Sequence, residues 1–238
     1  MDTASDWTSR LESMEGWYRD LLASGTAEQF LQTDYAAHAG YLGTLSGRVL
    51  DVGGGAGVAG RYLPPDCEHV VLDPAAVWND PAWRELGSRF AGARPIRFIQ
   101  GTGEAMPFAD AEFDAGLAFW SLNHAQDPSA CVRELARVLK HGAKALFVLE
   151  DMEPTWLDFA RCVGQRIGRL AGGTVDGFGF FGSFRESALH KLSGKPWPLQ
   201  EDHCRILERD LMGWAAPHFR LVNRQWRGGF LTLELIRR

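Results

Sequence analysis

Between Trp7 and Leu22 the apolar residues Leu11, Met14, Trp17, Tyr18, Leu21 and Leu22 recur at spacings of three and four, which predicts one amphipathic helix. A second helical stretch runs from Ala27 to Leu42, set off by Gly25 and closed by the turn signal Ser46-Gly47. Short apolar runs follow, and Arg48–Val52, Val70–Leu72, Ile96–Gln100, Ala115–Phe119 and Ala143–Glu150 read as strands. Ser129–Leu139 is strongly amphipathic, with Cys131, Val132, Leu135, Val138 and Leu139 on one stripe and Arg133, Glu134 and Arg137 off it. Strands separated by helical crossovers imply a parallel sheet with helices on both faces.

Beyond Glu150 the pattern changes. Glu153–Leu170 is helical in period, Ala171–Phe184 is rich in Gly and Phe and reads as a loop or lid, and Asp202–Trp214 returns to helical spacing. His218–Gln225 and Gly229–Ile236, joined around Arg227-Gly228, read as an antiparallel pair. The expected fold is therefore α/β: a doubly wound, seven-stranded, mostly parallel sheet with a C-terminal antiparallel hairpin and a helical cap or lid. One domain spans 1–238, with a helical cap over 1–45, a ligand-binding core over 46–150, a lid over 151–200, and the last helix and hairpin over 201–238.

Composition narrows the partners. A net charge of -5 and a pI near 5.8 give no general attraction for a phosphate backbone, and Arg161, Arg166 and Arg169 read as the solvated face of a helix, so no nucleic acid is expected. No apolar run has the length of a membrane span, and Met1–Arg10 lacks the regions of a signal peptide, so a cytoplasmic protein with no membrane partner is expected. Cys67, Cys131, Cys162 and Cys204 are far apart, without metal-ligand spacing; they read as reduced thiols, and no metal is expected.

The chemistry begins at Asp51-x-Gly53-x-Gly55-x-Gly57, directly after the first core strand and before a short helix over Val58–Leu63. Glycines there let the backbone turn sharply and approach a ligand without a Cβ in the way. A dinucleotide loop, G-x-G-x-x-G, would need its third glycine at position 58, which is Val58. Asp73 ends the next apolar run, where a carboxylate is placed to accept both ribose hydroxyls of an adenosine.

With these residues the chain resembles a class I S-adenosylmethionine-dependent methyltransferase, most similar to the ubiquinone/menaquinone methyltransferase-like (type 11) family. Val49–Gly57 is similar to the family's first motif and Val70–Pro74 to its second. Gly103-Glu-Ala-Met-Pro-Phe-Ala-Asp110 with Phe113-Asp114 resembles its G-D-A-E-x-L-P-F-x-D-x-x-F-D, and Leu135–Gly142 resembles its L-x-R-V-L-K-P-G-G, with His141 in place of proline. The resemblance covers residues 48–150. It implies a Rossmann-like methyltransferase fold and S-adenosylmethionine as cofactor. It implies further that Asp51, Gly53, Gly55 and Gly57 hold the methionine end, Asp73 and Pro74 the ribose, and Thr102, Gly103 and Glu104 the adenine. Thr102 stands where the family has Asp, so the adenine amino group would be met by the Thr hydroxyl, a water or the backbone. Tyr35 matches an aromatic over the methionine end, with a packed core tyrosine as the other reading, and Trp120 lies on the segment facing the transferable methyl.

For catalysis, His124 leaves the fourth strand at the carboxyl edge of the sheet, where a neutral imidazole could take a hydroxyl proton; the other reading is a packed loop residue. Asp202-His203 offers a histidine beside a carboxylate, against an N-cap Asp with an exposed His. Glu153, just beyond the fifth strand, is a further candidate near the cleft, against Glu150-Asp151-x-Glu153 as a solvated turn. Nine Trp and fourteen Phe suggest an aromatic pocket under the lid, lined by Trp156, Phe159, Phe178, Phe180, Phe181, Phe184 and Trp197; the other reading, favoured for most of them, is that they form the lid's own core. The expected partner is a small, partly apolar methyl acceptor of the kind found in secondary metabolism, and exposed lid aromatics are compatible with a homodimer. Two rival readings stay open. One is a nicotinamide-dependent reductase, although none of Tyr18, Tyr35, Tyr41 and Tyr62 has a lysine four residues on; the other is a cofactor-binding protein that no longer transfers methyl groups.

Overall fold

The computed structural model describes residues 4–92, 95–161, 164, 189–197, 199–200, 202–227 and 230–238. Seven strands, β1 (Arg48–Val52), β2 (Glu68–Asp73), β3 (Ile96–Gln100), β4 (Phe113–Phe119), β5 (Leu139–Leu149), β6 (Phe219–Arg227) and β7 (Phe230–Arg237), form one sheet in the order β3-β2-β1-β4-β5-β7-β6. The first five are parallel, and β7 runs antiparallel to both β5 and β6. The strand order reverses between β1 and β4, which opens a crevice at their carboxyl ends. Sheet and mixed topology match the expectation from periodicity.

Side chains alternate across the sheet and build two apolar layers. Leu50 and Val52 of β1 face Val132 and Leu135 of helix α5 (Pro128–Val138) and Leu211 of the late helix Glu208–Ala215. Val49, Leu117 and Val148 pack on the other face. There they meet Trp83, Leu86 and Phe90 of helix α4 (Pro81–Ala91), and the N-terminal helices α1 (Ala4–Ala23) and α2 (Ala27–Tyr35). Both α4 and α5 start at an Asp-Pro pair, where the Asp80 and Asp127 carboxylates accept from the backbone N–H of Ala82 and Ala130, at 2.8 and 3.0 Å. Sequence periodicity missed α4, although Asp80-Pro81 carries its start signal.

Several elements differ from the sequence reading: β2 and β4 start earlier, at Glu68 and Phe113, and the short helix expected over Val58–Leu63 is a 3-10 turn at Val58–Arg61. The helix expected over Ala27–Leu42 tightens into a 3-10 turn at Ala36–His38 before α3 (Ala39–Leu42), as Tyr35 turns inward against Phe119 and Trp120. Strand β5 begins at Leu139 rather than Ala143, because Leu139 pairs with Phe113 and Gly142, at φ 78°, absorbs the register shift that follows. The late helix begins only at Glu208. Residues before it are held extended by the Cys204 N–H donating to the Asn123 carbonyl at 2.7 Å.

The segment after β5 is tied down by ion pairs. Arg224 on β6 donates to both Asp158 oxygens at 2.6 and 2.7 Å and to Glu208. Burial opposes ionisation of Asp158, but hydrogen bonds from Arg224 and Thr155 outweigh it and hold the carboxyl at about 2. The ionised form is therefore favoured in the fold. Its contribution is present above the ordinary carboxylate range and lost as pH falls through 4 toward 2. Asp158→Asn should cost about 2–3 kcal/mol at pH 7, read as a lower melting temperature, and the difference from wild type should shrink on acidification.

Candidate functional site

A cavity of about 310 Å³ opens at the carboxyl ends of β1, β2, β4 and β5, under α1. Its floor is the loop after β1. Gly53, Gly55 and Gly57 have φ of 67°, 52° and 78°, the left-handed region that side chains disfavour. A Cβ on Gly53 would lie 2.3 Å from the Cβ of Ser121, so the loop and the segment after β4 close on each other with no room for a methyl group.

Asp73 ends β2 inside this cradle. Its Oδ2 accepts from the Gly55 N–H at 3.1 Å and its Oδ1 from the Ala75 N–H at 2.9 Å, so one carboxylate fixes both the glycine loop and the turn after β2. Burial pushes its carboxyl up to about 6, against the pull of those two backbone donors. Pro74 follows in the cavity wall.

Other expected residues divide by position. Gly53, Gly55, Gly103, Glu104, Tyr35 and Trp120 all line the cavity. Tyr35 and Trp120 stand edge to face at 5.0 Å, and Trp120 has a φ of 51°, a strained conformation for a bulky residue, while its backbone N–H donates to the Val148 carbonyl. Asp51 departs from expectation. It is fully buried beneath the loop, its Oδ2 lies 3.2 Å from His69 Nε2, and it does not line the cavity, so it props the loop from below rather than facing a ligand. Gly57 and Thr102 also lie outside the lining. Gly57 serves the turn, since a Cβ there would meet Ile96 at 2.8 Å. The Glu104 carboxylate accepts from the N–H groups of Gln126 and Asp127, at 2.8 and 3.2 Å, and so anchors the entry to α5.

Both candidate histidines reach the far end of the same cavity, with ring centroids 4.5 Å apart and edge to face. His203 is buried, not exposed behind an N-cap: its Nδ1 lies 2.7 Å from Asp151 Oδ2 and its Nε2 3.3 Å from Glu150 Oε1. The solvated turn expected at Glu150-Asp151 is thus a pair of histidine partners, and only Glu153 lies out on the surface, paired with Lys191. Asp151 is held at φ 55°, and its carboxylate also accepts from the Gln200 N–H, which joins β5 to the chain before the late helix. His124 Nδ1 lies 3.5 Å from Asp202 Oδ2. Burial disfavours charge on His203, but Glu150 and Asp151 outweigh it and raise the imidazole above its ordinary value. Burial and the neighbouring His203 lower that of His124.

The roof is α1. Trp7 Nε1 donates to the His124 carbonyl at 3.0 Å, the Glu15 carboxylate accepts from the Ala76 N–H at 2.6 Å, and Tyr18 stacks edge to face on Trp78 at 4.4 Å. The aromatic lining includes Trp7, Trp17, Tyr18 and Phe30 from α1 and α2, with Trp120 and Phe230. Of the lid aromatics expected to line a pocket, Trp156, Phe159 and Trp197 do not line this cavity, and Trp156 is 59% exposed. Phe178, Phe180, Phe181 and Phe184, with Cys162, Arg166, Arg169 and the Ala171–Phe184 loop, lie outside the described residues. Among the described residues, no helix is long and apolar enough to cross a membrane.

Residues 50–147 match the family model described as a methyltransferase domain. A demethylmenaquinone methyltransferase of Renibacterium salmoninarum is 30% identical over 79% of this chain and 73% of its own length. An uncharacterized methyltransferase of Bacillus subtilis is 36% identical over 42% of this chain, a stretch that spans only 40% of that protein. Among solved structures, the 1,6-didemethyltoxoflavin-N1-methyltransferase of Burkholderia thailandensis, with 1,6-didemethyltoxoflavin and S-adenosylhomocysteine bound, superposes with a TM-score of 0.62. That match covers 100% of this chain and 91% of that one at 14% identity, and so speaks to the fold.

Proposed function

The chain belongs to the class I S-adenosylmethionine-dependent methyltransferases of the type 11 family, and from that premise we propose that it methylates an oxygen, nitrogen or carbon atom of a small, partly apolar metabolite. The observation that carries the reading is one continuous cavity with two chemically different ends, the glycine loop with Asp73 at one and His124 with His203 at the other.

The cradle fits the cofactor, because left-handed glycines leave the loop backbone bare toward the cavity and Asp73 is already fixed by Gly55 and Ala75. When bound, S-adenosylmethionine supplies a methyl group activated by its sulfonium. In this reading Asp73 accepts the ribose hydroxyls, the Gly53–Gly55 backbone meets the methionine end, and Tyr35 and Trp120 wall it in. Gly103 and Glu104 border the adenine, which the backbone there would meet, since Thr102 lies outside the cavity wall. His124 and His203 face the acceptor, and much of the rate would come from holding the acceptor's reacting atom in line. An aromatic lining suits a small, partly apolar ring compound rather than a polymer. The names of the demethylmenaquinone and didemethyltoxoflavin enzymes point to acceptors of that kind.

Incubation with S-adenosylmethionine and a panel of small phenols, quinols, amines and enols, read by mass spectrometry, tests the proposal. Release of S-adenosylhomocysteine with a methyl-mass gain on one acceptor is the expected result. Saturable cofactor binding with no S-adenosylhomocysteine formed across the panel would favour a cofactor-holding protein without transfer.

A further inference from the structure

His124, Glu150 and His203 come from three separate segments, the turn after β4, the end of β5 and the chain before the late helix, so no sequence spacing announces them as a set. Each offers one nitrogen or oxygen atom, and these atoms lie within 4.8 Å of one another at the acceptor end of the cavity. We propose that His124, His203 and Glu150 form a binding site for one divalent transition-metal ion.

The donor geometry supports this. His203 Nε2 and Glu150 Oε1 are already 3.3 Å apart. Neighbouring ligands of a four-coordinate ion stand about 3.4 Å apart, given metal–ligand distances of roughly 2.1 Å. Modest side-chain shifts bring the wider contact to the same spacing.

The outer groups are those a metal-binding imidazole needs. A ligating histidine commonly presents one ring nitrogen to the ion and gives the other N–H to a carboxylate, which fixes the tautomer and the ring. Asp151 stands 2.7 Å from His203 Nδ1, and Asp202 stands 3.5 Å from His124 Nδ1. Asp151 holds that position at φ 55°. A residue kept in a strained conformation while gripping a histidine is over-determined by its surroundings, as supports of functional sites often are.

Charge agrees as well. Glu150, Asp151 and Asp202 carry three negative charges around the two rings, and Arg10 on α1 supplies one positive charge to the same end of the cavity. A divalent cation balances the remainder. Two imidazoles and one carboxylate favour zinc, cobalt, nickel or iron(II) over magnesium and calcium, which prefer all-oxygen sites. Three protein ligands also leave coordination positions open to the cavity, as in catalytic rather than structural metal sites. The site stands on its own residues and does not depend on methyl transfer.

The test uses the full, tag-free chain after chelator treatment, titrated with Zn²⁺ or Co²⁺ alone. Calorimetry follows both ions, and the visible absorption of Co²⁺ reports its coordination. One equivalent of Zn²⁺ should bind, with Mg²⁺ failing to compete. Glu150→Gln and His124→Ala should each lower the affinity at least tenfold, and Asp151→Asn about 10–100-fold through His203. A circular dichroism spectrum and melting temperature like those of wild type show that the variants are folded. No saturable binding by wild type, or binding that Glu150→Gln and His124→Ala leave unaltered, overturns the site and leaves the two imidazoles to act as proton acceptors.

Discussion

Asp73→Ala is expected to weaken S-adenosylhomocysteine binding roughly 100-fold or more, measured by calorimetry. Two hydroxyl-to-carboxylate hydrogen bonds at about 1.5 kcal/mol each already account for about 3 kcal/mol. The same substitution releases the Gly55 and Ala75 N–H groups, so the cradle itself loosens. The carboxyl titrates near 6 because it is buried, which gives a second signature. The ionised form accepts hydroxyls, so affinity should decline as pH falls below 6, by up to tenfold per unit, and the alanine variant should lack this decline. Stability of the ligand-free protein follows the opposite sign. With the folded value raised from 3.8 to about 6, the contribution of protonated Asp73 is complete below pH 4 and is lost as pH rises through 6.

Among the described glycines, Gly53→Ala should be the most damaging single-methyl change. At φ 67° any side chain costs roughly 1–2 kcal/mol, and here the added Cβ falls 2.3 Å from the Ser121 Cβ, so β1 and the segment after β4 cannot both keep their places. Loss of cofactor binding and a lower melting temperature are expected. Gly142→Ala separates the two causes, because Gly142 has φ 78° with nothing within 4 Å of where its methyl would sit, and only the backbone cost remains. Adding Ser121→Gly to Gly53→Ala should recover part of the lost binding, since it removes the opposing Cβ while leaving the φ cost in place. If the double variant binds no better than Gly53→Ala, the contact with Ser121 is not what excludes a side chain.

The cofactor end was legible in the sequence because its chemistry is local. Gly53, Gly55 and Asp73 are a strand end, a loop and the next strand end, and a run of residues less than thirty long holds their whole arrangement. The parallel core was legible for a similar reason: β1 and β3 are short apolar runs bounded by turn residues, and they fall where periodicity placed them. The acceptor end was not legible. Asp151 and His203 are 52 positions apart, and nothing in Glu150-Asp151-Met152-Glu153 separates a histidine anchor from a solvated turn until the fold brings the chain before the late helix back onto β5. Ile206, Leu207 and Leu211 mimic a helical stripe over residues that in fact run extended until Glu208, because the Cys204 N–H is bonded to Asn123 instead of to a helical partner. Aromatic content pointed to a lined pocket but not to its source, which is largely α1 and α2, whose apolar stripes look like ordinary core faces. Asp51 shows the converse. A motif residue is recognised by its position, yet its carboxylate lies under the loop against His69, where the family pattern alone does not place it.

The central claim is that the cavity between the Gly53–Gly55 loop and Asp73 holds S-adenosylmethionine, and side-by-side calorimetric titration with S-adenosylmethionine and NADH tests it most directly. The account predicts one-to-one binding of S-adenosylmethionine, displaced by S-adenosylhomocysteine and weakened roughly 100-fold or more by Asp73→Ala, with no heat from NADH. Tight binding of NADH with none of S-adenosylmethionine would contradict it.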